Sequence, residues 1–177
     1  RSHTTDDPVF AAKRAGELAW ARRALGLEGK KIDAKGAIIA VLDTGIDATH
    51  PLLQGTLVEG ESLIDEERDL TDRNGHGTAM AGAIVAKGQN SQQPVGIAPG
   101  AKLLPIKIMD GRGTGCVATL ARGIVRAVDR RAAVVLVSAG VASPSKVLED
   151  AVRYARTRGS LVVAAAGNEV LGRALFP

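Results

Sequence analysis

Three polar residues of this chain stand where chemistry is possible: Asp43, His76 and Asn168. His76 lies between two glycines in Asn74-Gly75-His76-Gly77-Thr78, ahead of a run of small and apolar residues that extends to Ala86. Gly75 and Gly77 place no side chain beside the imidazole and leave the backbone free to turn. Asp43 closes the apolar run Ala37-Ile38-Ile39-Ala40-Val41-Leu42, and Asn168 follows a second such run, Leu161 to Ala165. A carboxylate that orients an imidazole base, with an amide that donates to a developing oxyanion, equips a site for acyl transfer. Each residue alone has a plainer reading. Aspartate is common in the turn after a strand, and a histidine among apolar residues is often a satisfied core residue. Chemistry is favoured because one sheet edge can collect all three.

The elements that would carry them follow from hydrophobic spacing. Residues 37–42, 103–109, 133–138 and 161–165 are short continuous apolar runs, the pattern of strands buried on both faces. Helices are expected over 8–25, 76–86 and 116–129, and Ser143-Pro144 opens another that buries Val147, Leu148, Ala151, Val152 and Ala155. The helix after His76 has no polar face and reads as buried. Residues 54–73 are acidic and read as a surface loop or a short strand, and 87–101 form a turn-rich loop. Alternating strands and helices predict an α/β three-layer sandwich with a mainly parallel central sheet. Such sheets bind ligands at the carboxyl ends of their strands, where Asp43 and Asn168 fall.

Composition removes several classes. Hydrophobic residues make up 45% but aromatics only 2%, so the core is built from Ala, Val, Leu and Ile. The net charge of +4 comes with arginine doublets that lack interleaved aromatics, so no nucleic-acid partner is expected. Cys116 is the only cysteine, which rules out an intrachain disulfide, and it reads as a packing residue. No apolar run is long enough to span a membrane, and no charged-then-apolar leader is present. A soluble protein is expected, either secreted after processing or cytoplasmic. The glycines of Gly111-Arg112-Gly113-Thr114-Gly115 do not have phosphate-loop spacing and are not followed by Lys-Ser/Thr.

Taken together, several segments resemble the subtilisin-like serine proteases, or subtilases. They are Val41-Leu42-Asp43-Thr44-Gly45-Ile46-Asp47 with His50-Pro51, Asn74-Gly75-His76-Gly77-Thr78, Gly96-Ile97-Ala98-Pro99, Ser138-Ala139-Gly140, and Val162-Val163-Ala164-Ala165-Ala166-Gly167-Asn168. Asp before His is also the order in that family. The resemblance implies the N-terminal part of a single peptidase domain over residues 1–177, with the sandwich incomplete at its C-terminal side. It makes Asp43 the triad aspartate, His76 the general base and Asn168 the oxyanion donor. Substrate, a peptide or protein, would lie as an added strand between Gly111, Arg112 and Gly113 on one side and Ser138, Ala139 and Gly140 on the other. Ala165, Ala166 and Gly167 would line one side of the primary specificity pocket. Small residues at Gly115 and Ala118 imply a roomy outer subsite, and His50 a structural role in its turn.

The nucleophile departs from the pattern. The family serine lies in a Gly-Thr-Ser motif beyond the asparagine, and none of the seven serines here stands in such a motif or in Gly-x-Ser-x-Gly. The expectation is a serine endopeptidase whose serine and remaining core come from a missing segment or a second polypeptide. The alternative is an inactive pseudoprotease that binds peptides. Many subtilases bind calcium with the loop after the histidine helix and an acidic residue near the Asp-His-Pro turn. Leu52 stands at that acidic position, although Asn90 remains in the loop. Calcium needs several oxygen ligands, so neither calcium nor another cofactor is expected.

Overall fold

The computed structural model describes residues 20–27, 30, 32–87, 95–141 and 143–167. The strands are β1 (Ile38–Asp43), β2 (Glu61–Ser62), β3 (Lys102–Lys107), β4 (Val134–Val137) and β5 (Leu161–Ala164). They form one sheet in the order β2-β3-β1-β4-β5, and every pairing is parallel. The helices are α1 (Trp20–Ala24), α2 (His76–Val85), α3 (Val117–Asp129) and α4 (Lys146–Thr157). This is the α/β sandwich expected from the sequence, with helices on both faces of the sheet. Of the helix expected over 8–25, residues 8–19 lie outside the described residues. No helix among the described residues is long and apolar enough to cross a membrane.

Successive strand residues point to opposite faces, so each strand feeds two cores. Ala40, Leu42, Leu104, Ile106, Val135 and Val137 enter the larger core, under α3 and α4. Those helices are amphipathic in the way their 3.6-residue spacing demands. Leu120, Ala121, Ile124, Ala127 and Val128 of α3 and Leu148, Ala151 and Ala155 of α4 are buried. The helices are tied together at their outer edge by the Tyr154 hydroxyl, which donates to Asp129 at 2.6 Å. The smaller core lies under α2 and holds Val41, Leu103, Ile46, Leu53, Ala81, Ile84 and Val85.

Several local expectations need correction. The N-cap of α4 is Ser145, not Ser143; its side chain accepts from the Leu148 N–H. Val147 then faces solvent rather than the core. β3 is not apolar throughout: Lys107, fully buried, ends it. β3 also contains Pro105, yet loses no ladder bond to β1. Lys102 and Ile108 donate towards β1, whereas Leu103 donates the opposite way, to Thr56. The odd-numbered nitrogen of Pro105 therefore faces the stretch before β2 begins. The helix after His76 is only half buried: Gly77, Ala81, Ile84 and Val85 pack inward, while His76 and Ala83 are exposed. A Cβ built on Gly82 would meet nothing within 4 Å. Cover also fades across the sheet. β4 is fully buried only at alternate residues, and on β5 Leu161 and Val163 are 61% and 42% exposed.

Candidate active site

The carboxyl edge of the sheet gathers most of the residues singled out in the sequence. Asp43 ends β1 and is 1% exposed. Its backbone carbonyl accepts from the Ile108 and Met109 N–H groups, which fixes where the strand stops. His76 opens α2, and its ring Nδ1 lies 2.8 Å from Asp43 Oδ1 and 3.0 Å from Oδ2. An ionised carboxylate only accepts hydrogen bonds, so this contact places a proton on Nδ1. In the neutral ring Nε2 then keeps its lone pair, and with the side chain 45% exposed the imidazole can reach a reacting group. The Thr44 N–H donates to Asp43 Oδ1 at 2.7 Å, holding the carboxylate in place.

The backbone permits this approach because of glycine. Gly75, the N-cap of α2, has a φ of 95°, and a Cβ on Gly77 would lie 2.1 Å from the Gly45 carbonyl oxygen. The start of the helix and the end of the strand are therefore in backbone contact.

Around the pair lies a dense polar network. Asp72 Oδ1 accepts from the Thr44 hydroxyl at 2.8 Å, the Gly75 N–H at 2.8 Å and the Asn74 N–H at 3.1 Å. Its Oδ2 accepts from the Thr78 hydroxyl at 2.6 Å and the Thr78 N–H at 2.9 Å. Burial pushes the Asp72 carboxyl upward, but these donors outweigh burial and hold it down at about 2. Beneath, Lys107 Nζ donates to the Thr44 and Thr71 carbonyls at 2.7 and 2.8 Å and pairs with Glu67 at 2.8 Å. A buried ammonium needs such company. Lys107 and the Gly111 N–H in turn hold the Glu67 carboxyl below its usual range.

The expected substrate wall adjoins this network. Gly111 N–H donates to Glu67, and the Gly111 carbonyl accepts from Asn74 Nδ2 at 3.2 Å, two residues before His76. Asp110 closes the loop by accepting from the Arg112 and Thr114 N–H groups, and it leaves Arg112 and Gly113 exposed. The opposite wall is placed by register. Leu42 pairs with Val137, so Ser138 sits level with Asp43, with Ala139 and Gly140 following. Val137 pairs with Ala164, which brings exposed Ala165, Ala166 and Gly167 to the same edge. Asn168 lies outside the described residues.

Gly115 has a packing reason for its size: a Cβ there would lie 2.3 Å from the Ile108 carbonyl oxygen. Cys116 is not a packing residue. It is exposed, and its sulfur caps α3 by accepting from the Thr119 N–H. The Thr119 hydroxyl first, and then that N–H contact, lower its thiol pKa. His50 caps the short 3-10 turn Pro51–Leu53, as its structural assignment requires. Among the described residues no group of His, Cys, Asp and Glu is arranged to hold a metal ion. Asn90 lies outside the described residues.

Asp72, Lys107, Thr44 and Glu67 were not singled out in the sequence. Lys107 did carry a signal, because a lysine inside an otherwise apolar run demands a buried partner. Asp72 carried little, standing as one of several carboxylates in an acidic stretch.

A model of the subtilase family matches residues 34–175. Thermitase of Thermoactinomyces vulgaris is 37% identical over 94% of this chain and 58% of its own length. Subtilisin Savinase of Lederbergia lenta is 42% identical over 82% of this chain and 53% of its own. The thermophilic serine proteinase of Bacillus sp. strain AK1 is 41% identical over 76% of this chain and 34% of its own. Among solved structures, sphericase superposes with a TM-score of 0.74 at 31% identity, over 83% of this chain and 51% of sphericase. The chain thus spans roughly a third to three fifths of the length of these relatives.

Proposed function

The chain belongs to the subtilase family, and from that premise we propose that it supplies Asp43, His76 and Asn168 to a serine endopeptidase whose serine lies outside these 177 residues. That serine stands in a continuation of the polypeptide or in a second one. The observation that carries the reading is the Asp43–His76 pair: a buried carboxylate against Nδ1 of a half-exposed imidazole. With Nδ1 protonated, Nε2 takes the serine proton as the hydroxyl attacks the peptide carbonyl. It returns that proton to the leaving amine, and water then resolves the acyl-enzyme. The Asn168 amide donates to the oxyanion. The peptide substrate lies extended between Gly111, Arg112 and Gly113 and the segment Ser138-Ala139-Gly140, with its primary side chain against Ala165, Ala166 and Gly167.

The serine-bearing segment is proposed to cover the α2 side of the sheet, where Leu161, Val163 and the outer surface around Gly82 lack cover among the described residues. An interface of this kind is large and apolar, like a domain core cut in two. The test is to treat the complete protein with a serine-directed fluorophosphonate and map the label. Labelling on a serine outside residues 1–177, abolished in the His76→Ala variant, supports the assignment. Asn168→Ala is expected to lower kcat by roughly 10²–10³-fold, the usual loss for one oxyanion donor. Peptide binding with neither label nor turnover would identify a peptide-binding pseudoprotease instead.

A further inference from the structure

Asp43 and His76 are 33 residues apart in sequence and sit on different elements, so something must fix the distance between the two turns that carry them. Their own side-chain contact cannot do this alone, since it depends on the backbones already being in place. Among the described residues, one other carboxylate touches both turns. Asp72 binds the hydroxyl of Thr44, the residue after Asp43, and the N–H groups of Asn74, Gly75 and Thr78, which flank His76 on both sides. The Thr44 hydroxyl, having donated to Asp72, accepts the Gly77 N–H at 3.1 Å and so extends the link to the residue after His76. The Thr78 hydroxyl likewise donates to Asp72 and accepts the Asp47 N–H at 2.9 Å.

We infer that Asp72 is a positioning residue of the proposed active site, its carboxylate setting the separation between the Asp43 turn and the start of the His76 helix. The inference rests on the protease reading above. Five donors converge on a group with about four lone-pair positions, so the carboxylate is fully occupied. Helix capping alone does not account for this. Capping requires only the Gly75 and Thr78 N–H groups, whereas the Thr44 hydroxyl belongs to the strand side. The ionised form is required as well. An amide of the same shape has one oxygen and one NH2 group, and either orientation sets donors against donors. Small displacements between a base and its orienting carboxylate are costly, because catalysis depends on near-attack geometry.

The test uses the complete, serine-bearing enzyme and four variants: Asp72→Asn, Thr44→Val, Asp43→Ala and Asp69→Asn. Asp69 is the control, a strongly hydrogen-bonded carboxylate of the same loop whose partners among the described residues are Arg73 and Thr71 rather than either turn of the site. Active-site titration counts competent sites, so that kcat is read per folded site. The Nδ1 proton of His76 is followed by NMR. Asp72→Asn is expected to lower kcat per site by roughly 10–10²-fold with KM within about twofold, and to broaden or shift the Nδ1 signal. Thr44→Val, which leaves the helix-side contacts of Asp72 intact, should act in the same direction, and Asp69→Asn should change neither readout. The inference is overturned if Asp72→Asn and Thr44→Val keep the wild-type rate and signal per titrated site, or if Asp69→Asn reproduces their losses. If Asp43→Ala itself leaves turnover intact, the protease reading fails and takes this inference with it. Loss on Asp43→Ala without loss on Asp72→Asn removes the inference alone.

Discussion

The two faces of the sheet are made from the same strands, residue by residue in alternation, yet they are finished differently. Under α3 and α4 every strand from β3 across to β5 finds cover, and even Val162 and Ala164 of the edge strand β5 pack against that core. Among the described residues, cover under α2 holds at Val41 and Leu103, thins at Ile39 and Leu136, and leaves Leu161 and Val163 exposed. His76 and the polar network belong to the thinner side. Tight packing and the proposed chemistry are thus divided between faces. The closed face has two capped amphipathic helices of 13 and 12 residues, whereas the helix that carries the proposed base on the open face has 10.

That division can be broken by mutation. The largest effect is expected from His76→Ala or Asp43→Ala in the complete enzyme: kcat falls by about 10⁴-fold or more, some 5.4 kcal/mol of activation, with little change in thermal midpoint. Substrate turnover and calorimetry on the same preparations check it, and a variant that unfolds instead would place fold and chemistry on the same face. Next is Ile124→Ala, which removes a fully buried side chain from the closed face. It should cost about 2–5 kcal/mol in denaturant unfolding while leaving kcat per titrated site unchanged.

A smaller and conditional effect sharpens the contrast. Val163→Ser on a polypeptide ending at Pro177 should change stability by no more than about 0.5 kcal/mol, because the side chain already meets water. In the complete protein the same change should cost about 1.5–3 kcal/mol if another segment covers this face. Equal costs in both contexts would mean that the open face stays open. The smallest effect is in acid. The Asp72 carboxyl is held at about 2 against an ordinary 3.8, so its contribution is fully present above about pH 4 and is lost as pH falls towards 2. The thermal midpoint of Asp72→Asn should accordingly fall less across that window than that of the wild type.

The closed face was the more legible in sequence. The spacing of Leu120, Ile124 and Val128 stated its own period, and the apolar run from Ala37 to Leu42 announced the central strand. Asp43 and His76 were legible for a different reason: Asp43 closes a buried strand, His76 stands between two glycines at a helix start, and one sheet edge can collect both. Their contact at 2.8 Å was the geometry expected. The supports of the site were harder to read. Nothing local separates Asp72 from Asp69, since both lie in the acidic stretch and both accept turn N–H groups. Only the folded chain puts Thr44 beside one of them. The start of α4 was misplaced because Ser143-Pro144 and Ser145 both offer caps, and local sequence does not choose between them. The half-buried state of α2 was invisible for the opposite reason, as an apolar helix is written the same way whether or not its neighbours are present.

The contact between Gly77 and the Gly45 carbonyl has a consequence for how such a chain can change over generations. At most packed positions a new side chain is absorbed when a neighbouring side chain gives way, so the two can drift through tolerated intermediates. Here both partners are main chain, and no second substitution makes room for a Cβ that would lie 2.1 Å from a peptide oxygen. Asp43 Cβ is the next atom it would meet, at 3.1 Å. Any side chain at Gly77 would therefore have to move the turn after β1 and the start of α2 apart. The segment between them carries Asp72, which binds both turns, and the junction itself offers no neutral path away from glycine.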